Sequence, residues 1–243
     1  MTYIQEYLKK HGFEAFRPKA VLFDMDGVLY DSMPNHAVAW QQSMASFGIR
    51  MTANDAYATE GARGIDTIRM MVKKQKGRDI DEAEAQRMYD EKTRLFHMMP
   101  KPVVMPGILS LMAQMKAGGL AIGVVTGSGQ RPLIQRLLED FGDYLDESRI
   151  TTAYDVTRGK PAPDPYLMGM QRVGNVQPWE TVVVENAPLG VMAGTAAKAF
   201  TIAVNTGPLP NEVLFQAGAD LLLQKMPLLS KQWQHFIQGD LDC

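Results

Sequence analysis

The sequence predicts an α/β protein: a doubly wound parallel sheet with an all-helical segment inserted after the first strand. Three observations predict it. Short apolar runs recur at Ala20–Phe23, 120–125, 181–184, Phe200–Val204 and 220–223, most of them bounded by Gly, Pro or Asp, the pattern of strands buried on both faces. Amphipathic segments of helix length lie between the later runs, and strand alternating with helix argues for parallel crossovers. The block 33–101 breaks this rhythm, because it carries several helical patterns and no convincing strand.

Taken in order, the opening stretch MTYIQEYLKKHGFEAFRPKA reads as a short amphipathic helix or an arm. It has neither a continuous apolar core nor a small-residue cleavage pattern, so it is not expected to be a signal peptide. The first strand follows at Ala20–Phe23. HAVAWQQSMASFG, IDTIRMMVKKQ and EAEAQRMYDEKTRLFHMM then show helical spacing, and Pro100, Pro102, Pro106 and Gly107 end the block with turn signals. The expected organisation is a core domain of residues 1–32 and 102–243 and a helical cap domain of residues 33–101. Segments 30–34 and 102–107 are the expected hinges. Ile108–Ala117, 130–141, 163–173 and 189–197 are the helices that complete a Rossmann-like core.

Composition narrows the class. With 243 residues, 46% of them apolar and 21% charged, the chain can bury a full core. A formal net charge of −2 offers no broad surface for nucleic acid or anionic membrane. No apolar run approaches the ~20 residues that span a bilayer. The single cysteine, Cys243, excludes an internal disulfide framework and fits a reducing, cytoplasmic compartment. Neither nucleic acid nor a membrane is an expected partner.

In open α/β sheets, ligands bind beyond the carboxyl ends of the strands, and the informative residues sit there. VLFDMDGVLYDS delivers Asp24 and Asp26; run 120–125 leads into Thr126, Gly127, Ser128 and Gly129; run 181–184 leads into Glu185 and Asn186; RGKPAPDPY places Lys160 before a proline-rich helix start. Buried carboxylates stay charged only when paired or bound to a cation, which points to a metal, a proton-transfer pair or both. Together these groups suit a phosphoryl group. A carboxylate can attack phosphorus, Mg²⁺ relieves the repulsion between the two anions, and Thr126, the Gly127 N–H and Lys160 supply donors for the equatorial oxygens. The second aspartate is free for proton transfer. Singly, each feature has a plainer reading: aspartates as turn formers, TGSG as a glycine turn, Lys160 as a solvated lysine. The weight lies in their combination.

FDMDGVLYDS, VVTGSG, GKPAPDPYL and VVVENAPLGVMAG, in that order, resemble the motifs of the haloacid dehalogenase (HAD) superfamily, in its β-phosphoglucomutase-like branch with a helical cap after the first strand. The resemblance spans roughly residues 19–226. It implies Asp24 as nucleophile and Mg²⁺ ligand, and Asp26 as general acid/base with its backbone carbonyl on the metal. It implies Thr126, Gly127 and Lys160 as phosphoryl-binding groups, with Glu185 and Asn186 completing the metal site. His36 falls where the mutases keep a histidine near the acid/base aspartate; it either acts there or caps and packs.

Two departures from the branch stand out. Mutases usually carry Glu–Asp in the last motif, whereas position 186 here is Asn, an oxygen donor without charge. The mutase cap loop typically grips a second phosphate with an arginine in a Gly-x-Ser-Arg setting; here TEGARGIDTI presents Glu60, shifts Arg63 by a residue and puts Gly64 in the arginine's place. Glu60 is either a solvent-facing cap acid or the ligand of a further Mg²⁺ brought by the substrate. The TEG and ENAPLGV pair looks similar to HAD-type inorganic pyrophosphatases. The expected activity is hydrolysis of pyrophosphate or a small phosphoester through an aspartyl-phosphate, with β-phosphoglucomutase as the alternative. His11, His97 and His235 show no ligand spacing. Trp40, Trp179 and Trp233 are expected in packing, and Met70, Met71, Met98 and Met99 in an adaptable cap face.

Overall fold

The computed structural model of the chain describes residues 2–129 and 131–239; Gln130, the expected start of the 130–141 helix, and Cys243 lie outside the described residues. Strands β1 (Ala20–Phe23), β2 (Ala121–Val125), β3 (Ile150–Thr151), β4 (Thr181–Glu185), β5 (Phe200–Val204) and β6 (Leu221–Leu223) form one sheet in the order β3-β2-β1-β4-β5-β6. Every pairing is parallel. The helices in chain order are α1 (Tyr3–His11), α2 (Met33–Ser46), α3 (Ala53–Ala58), α4 (Gly64–Lys76), α5 (Glu82–His97), α6 (Ile108–Ala117), α7 (Arg131–Phe141), α8 (Asp164–Arg172), α9 (Pro188–Ala196), α10 (Asn211–Gln216) and α11 (Met226–Gln238).

The strands are apolar throughout because alternate residues face two helical layers. Val21, Phe23, Ile122, Val124, Val182 and Val184 pack with Leu111, Met112, Leu137 and Trp233 of α6, α7 and α11. Leu22, Val125 and Val183 point the other way, onto Tyr166, Met170 and Ala193 of α8 and α9. The strand order turns at β1, whose Phe23 is in register with Val124 of β2 and Val184 of β4. That register gathers the carboxyl ends of three strands at the switch point where doubly wound sheets bind ligands.

Several elements differ from expectation. β3 is two residues long and carries no readable apolar run; it exists because Val124 and Val125 offer it a partner edge. The last strand begins at Leu221, since the Asp220 carboxylate is occupied in accepting from the Thr201 N–H at 2.9 Å and the Lys10 ammonium at 2.9 Å. The opening stretch is a helix: Thr2 and Gln5 form a capping box, Gly12 closes it at φ 71°, and the buried Tyr7 hydroxyl donates to the Lys198 carbonyl at 2.8 Å.

Helices α2 to α5 close on a hydrophobic cluster of their own that includes Trp40, Met44, Ile68, Met71 and Met88. Met70 and Met98, by contrast, face solvent. The two segments that join this bundle to the sheet run antiparallel, with the Asp31 N–H donating to Val103 at 3.0 Å and the Met105 N–H to Leu29 at 2.8 Å. Among the described residues no helix is long and apolar enough to cross a membrane.

Candidate active site

Asp24 follows β1 directly, and its N–H donates to the Val184 carbonyl at 3.0 Å. Lys160 reaches it from the loop before α8. The ammonium donates to Asp24 Oδ1 at 2.6 Å, to Glu185 Oε1 at 2.6 Å and to the Val125 carbonyl at 3.1 Å. All three side chains are buried. Burial works against the Lys160 charge, but Asp24 and Glu185 outweigh it and hold the amine protonated. Asp24 goes the other way. Burial raises its carboxyl to about 7 despite Lys160, with Glu185 and Asp26 adding to the rise.

Glu185 is locked in place. Tyr166 donates to Oε1 at 2.6 Å, and the N–H groups of Asn186 and Ala187 donate to Oε2 at 3.1 and 3.4 Å. Gly190, in the first turns of α9, leaves room for it, since a Cβ there would lie 1.8 Å from Oε1. Both Glu185 oxygens are therefore already engaged. Asn186 Oδ1, in contrast, is buried without a hydrogen-bond partner among the described residues.

Asp26 belongs to a second chain of contacts that runs into the cap. Ser32 Oγ donates to its Oδ1 at 2.6 Å, and His36 Nε2 stands 3.0 Å from the same oxygen. His36 Nδ1 lies 2.6 Å from the Lys92 ammonium. An ammonium only donates, so Nδ1 accepts and Nε2 carries the hydrogen given to Asp26. Burial and Lys92 together lower the His36 pKa, which keeps the ring neutral in that tautomer. Burial would raise Asp26, but His36, Ser32 and the Lys92 charge outweigh it and hold the carboxyl at about 2. Lys92 is itself buried amid rings, 5.2 Å from the Trp40 centroid and 5.1 Å from that of Phe96, and burial lowers it to about 8.

The cap places Glu60 over this cluster, with Asn186 Nδ2 donating to its two oxygens at 3.3 and 3.1 Å. Burial, Asp24, Asp26 and Glu185 raise the Glu60 pKa well above its ordinary value. A cavity of about 60 Å³ lies between cap and sheet, lined by Asp24, Asp26, His36, Glu60, Gly127 and Lys92 among others. Thr126, next to Gly127 in the chain, is buried, its Oγ1 accepting from the Ser128 N–H at 3.0 Å.

Of the predicted residues, Asp24, Lys160 and Glu185 meet directly, Asn186 meets Glu60, Asp26 meets His36, and Gly127 lines the same cavity. Thr126 and Arg63 stand outside its lining. Arg63 precedes α4, forks onto Asp66 at 2.7 and 3.2 Å and lies along Gly159, so a carboxylate one helical turn away holds its guanidinium. Sequence reasoning passed over Ser32, Lys92 and Tyr166. Ser32 ends the quoted motif FDMDGVLYDS and Tyr166 lies within GKPAPDPYL, but neither carries a charge that would single it out; Lys92 stands on α5, outside any strand-end motif. Lys92 did carry a signal, for it interrupts the apolar stripe of Met88 and Phe96 at a spacing of four.

A cation suits these donors. Asp24, Asp26, Glu60 and Glu185 face Lys160 and Lys92 in a buried space, and the partnerless Asn186 Oδ1 is an oxygen of the kind Mg²⁺ takes. No three His, Cys, Asp or Glu side chains among the described residues form a ready-made cage. Mg²⁺ seldom uses one, being held by one or two carboxylates plus substrate oxygens and water.

Comparison with known proteins agrees with this arrangement. The sequence pattern of the haloacid dehalogenase-like hydrolases matches residues 18–198. Hexitol phosphatase A of Escherichia coli is 34% identical over 204 residues, covering 81% of this chain and 89% of that protein. β-Phosphoglucomutase of Bacillus subtilis is 25% identical over 228 residues, covering 90% and 96%. A Bacteroides vulgatus structure provisionally assigned as a β-phosphoglucomutase superposes with a TM-score of 0.93 at 46% identity, covering 99% and 97% of the two chains.

Proposed function

The chain belongs to the haloacid dehalogenase-like hydrolases, and from that premise we propose that it is a Mg²⁺-dependent phosphohydrolase acting through an aspartyl-phosphate on Asp24, with inorganic pyrophosphate as its first candidate substrate. The coarser part of this reading follows its relatives, which include phosphatases of small phosphorylated sugars and a phosphoglucomutase. Residues 33–101 act as the cap, hinged on the two antiparallel linkers.

In the first step an Asp24 oxygen bonds to phosphorus while the bond to the leaving oxygen breaks and takes its electron pair away. Lys160 holds Asp24 in line, and Thr126 and the Gly127 N–H receive the phosphoryl oxygens. In the second step Asp26 accepts a proton from water, the water oxygen bonds to phosphorus, and the Asp24 carboxylate is released. Asp24, the Asp26 carbonyl and Asn186 Oδ1 are the groups that would hold Mg²⁺, while Glu185 fixes Lys160 and adds negative charge. When bound, the ion offsets the charge of carboxylates and phosphate.

One observation carries the choice of substrate: the cap places a buried carboxylate, Glu60, over the Asp24 and Asp26 cluster and within hydrogen-bond reach of Asn186. A substrate that brings its own cations answers an acid facing it. The mutase alternative rests on the Bacillus and Bacteroides relatives, but among the described residues that line the cavity there is no arginine for a second phosphate.

Initial rates with Mg²⁺ on pyrophosphate, hexitol and hexose phosphates, and β-glucose 1-phosphate isomerisation, test the proposal. Expected are chelator-sensitive phosphate release with pyrophosphate the best substrate, and no turnover by Asp24→Asn. Isomerisation faster than any hydrolysis would overturn it. A sugar phosphate preferred over pyrophosphate would remove the substrate assignment and leave the hydrolase.

A further inference from the structure

Gly64 is the first residue of α4 and part of the cavity wall. Its φ is outside the left-handed region, so the backbone there does not need glycine, and a glycine in a helix costs up to about 1 kcal/mol relative to alanine without some such need. The need comes from α5. A Cβ at position 64 would stand 2.0, 2.3 and 2.8 Å from Cε2, Cδ2 and Cζ of Tyr89. The Tyr89 ring sits against the start of α4 and fills the volume that a side chain there would occupy.

The ring is held on its other sides. Tyr89 packs against the cap cluster of Met88, Ala85 and Trp40, and its centroid is 6.3 Å from that of Trp40. Lys92 and Phe96, three and seven residues on, continue the same α5 face, and all three line the cavity. Interiors packed in this way resist sliding a ring aside. On the opposite wall stand Asp24, Asp26 and Gly127. With the cap seated, the space between the walls is about 60 Å³, so each further atom of leaving group must be accommodated against Tyr89 and its neighbours on α5.

Resting on the phosphohydrolase reading, we infer that Tyr89 is the specificity-determining residue of the cap: its ring, admitted by Gly64, limits the leaving group to a compact polar species and excludes a six-carbon sugar. A hexose ester could enter an open cap, but closure over it would require the Tyr89 ring to leave its seat between Gly64 and Trp40. Discrimination of this kind works by a clash against the wrong ligand rather than by a contact with the right one.

The test compares kcat/KM for glucose 6-phosphate and pyrophosphate in wild type, Tyr89→Ala and Tyr89→Phe, each checked for a cooperative melt. The ratio of sugar phosphate to pyrophosphate is expected to rise roughly tenfold or more in the alanine variant, chiefly through a lower KM for the sugar phosphate, and to stay at the wild-type value in the phenylalanine variant. An unchanged ratio in folded Tyr89→Ala overturns the gate. So does a fallen ratio, which would make the ring a stacking platform for sugar, and so does equal relaxation by phenylalanine, which would assign the effect to the hydroxyl. Binding of glucose 6-phosphate to Asp24→Asn with and without Tyr89→Ala reads the gate without turnover. Tighter binding by the double variant supports it, and equal binding overturns it, even if wild-type protein hydrolysed neither compound and the proposed function had failed.

Discussion

The Asn186 amide and the Glu60 carboxylate meet across the gap between sheet and cap at 3.1 and 3.3 Å. An aspartate at 186 would put two carboxylates in that gap. The two departures from the mutase pattern therefore meet in one contact: at the proposed metal site an uncharged asparagine stands where an acidic cap residue closes over it. Asn186→Asp should sharpen Mg²⁺ binding while making closure costlier, lowering the half-saturating Mg²⁺ concentration and reducing kcat by about tenfold, the scale of one broken buried hydrogen bond to a charged group. Titration of initial rates with Mg²⁺ reads both; a kcat at the wild-type level would dissolve the link. Asp24 makes a complementary case. Burial lifts its pKa from an ordinary 3.8 to about 7, so between those values the folded chain keeps a proton that the unfolded chain has released. Stability therefore falls as pH rises through that window. Without divalent cation, Asp24→Asn should melt higher than wild type at pH 8, by roughly 2–4 °C per kcal/mol relieved, with the gap narrowing toward pH 4. Calorimetry in chelator across that range would expose a flat difference and refute the argument. Asp24, Asp26, Lys160 and Glu185 were legible because each ends a strand or opens a helix within a compact motif. Lys92 and Tyr166 were not, because what they touch lies on other elements and only the fold brings it near; Ser32 was not, because a serine six residues after Asp26 has no spacing that marks it as its partner.

At the scale of elements, β1, β2, β4 and β5 were readable because strands buried on two faces must be apolar at every position. β3 was not, because two residues carry no period, and α11 was passed over although its Trp233 and Phe236 close the core beside α6. The two linkers, expected as hinges, were readable from their prolines, yet what holds them was hidden in α7. Arg136 donates to the Pro102 carbonyl in the exit linker, lies 4.4 Å from the ring of Tyr30 in the entry linker, and pairs with Asp140 at 3.2 Å. The Tyr30 hydroxyl completes the set by donating to Asp140 at 2.8 Å. One helix thus grips both linkers just after the Thr126 loop. Arg136→Ala removes the hydrogen bond, the ion pair and the cation–π contact together and should cost about 1–3 kcal/mol. Arg136→Lys, which keeps the charge without the planar fork, should recover part of it. Urea unfolding would check the ranking, and a stability equal to wild type in the alanine variant would show that the linkers hold themselves.

For the whole molecule, sheet and cap meet most closely where the loop after β2 touches the loop before α4. A Cβ on Gly127 would stand 2.7 Å from the Gly61 carbonyl oxygen and 3.2 Å from that of Ala62. Gly127 is not in the left-handed region, so its own loop would accept alanine, and the substitution keeps the N–H proposed to receive the phosphoryl group. What it blocks is the seating of one body on the other. Seating is what brings Glu60 to Asn186 and joins Asp26, on the core side, to His36 and Lys92 of the cap. Proton transfer and exclusion of bulk water both depend on it. Gly127→Ala should accordingly lower kcat by roughly 10–100-fold, the range in which a misplacement near 1 Å is felt, and leave the unfolding free energy within about 0.5 kcal/mol. Protease cleavage in the 98–107 linker should quicken in the variant and no longer slow when substrate is added to Asp24→Asn carrying the same change. Full kcat with unaltered proteolysis would mean that the two bodies need not meet at Gly127 for the reaction to run.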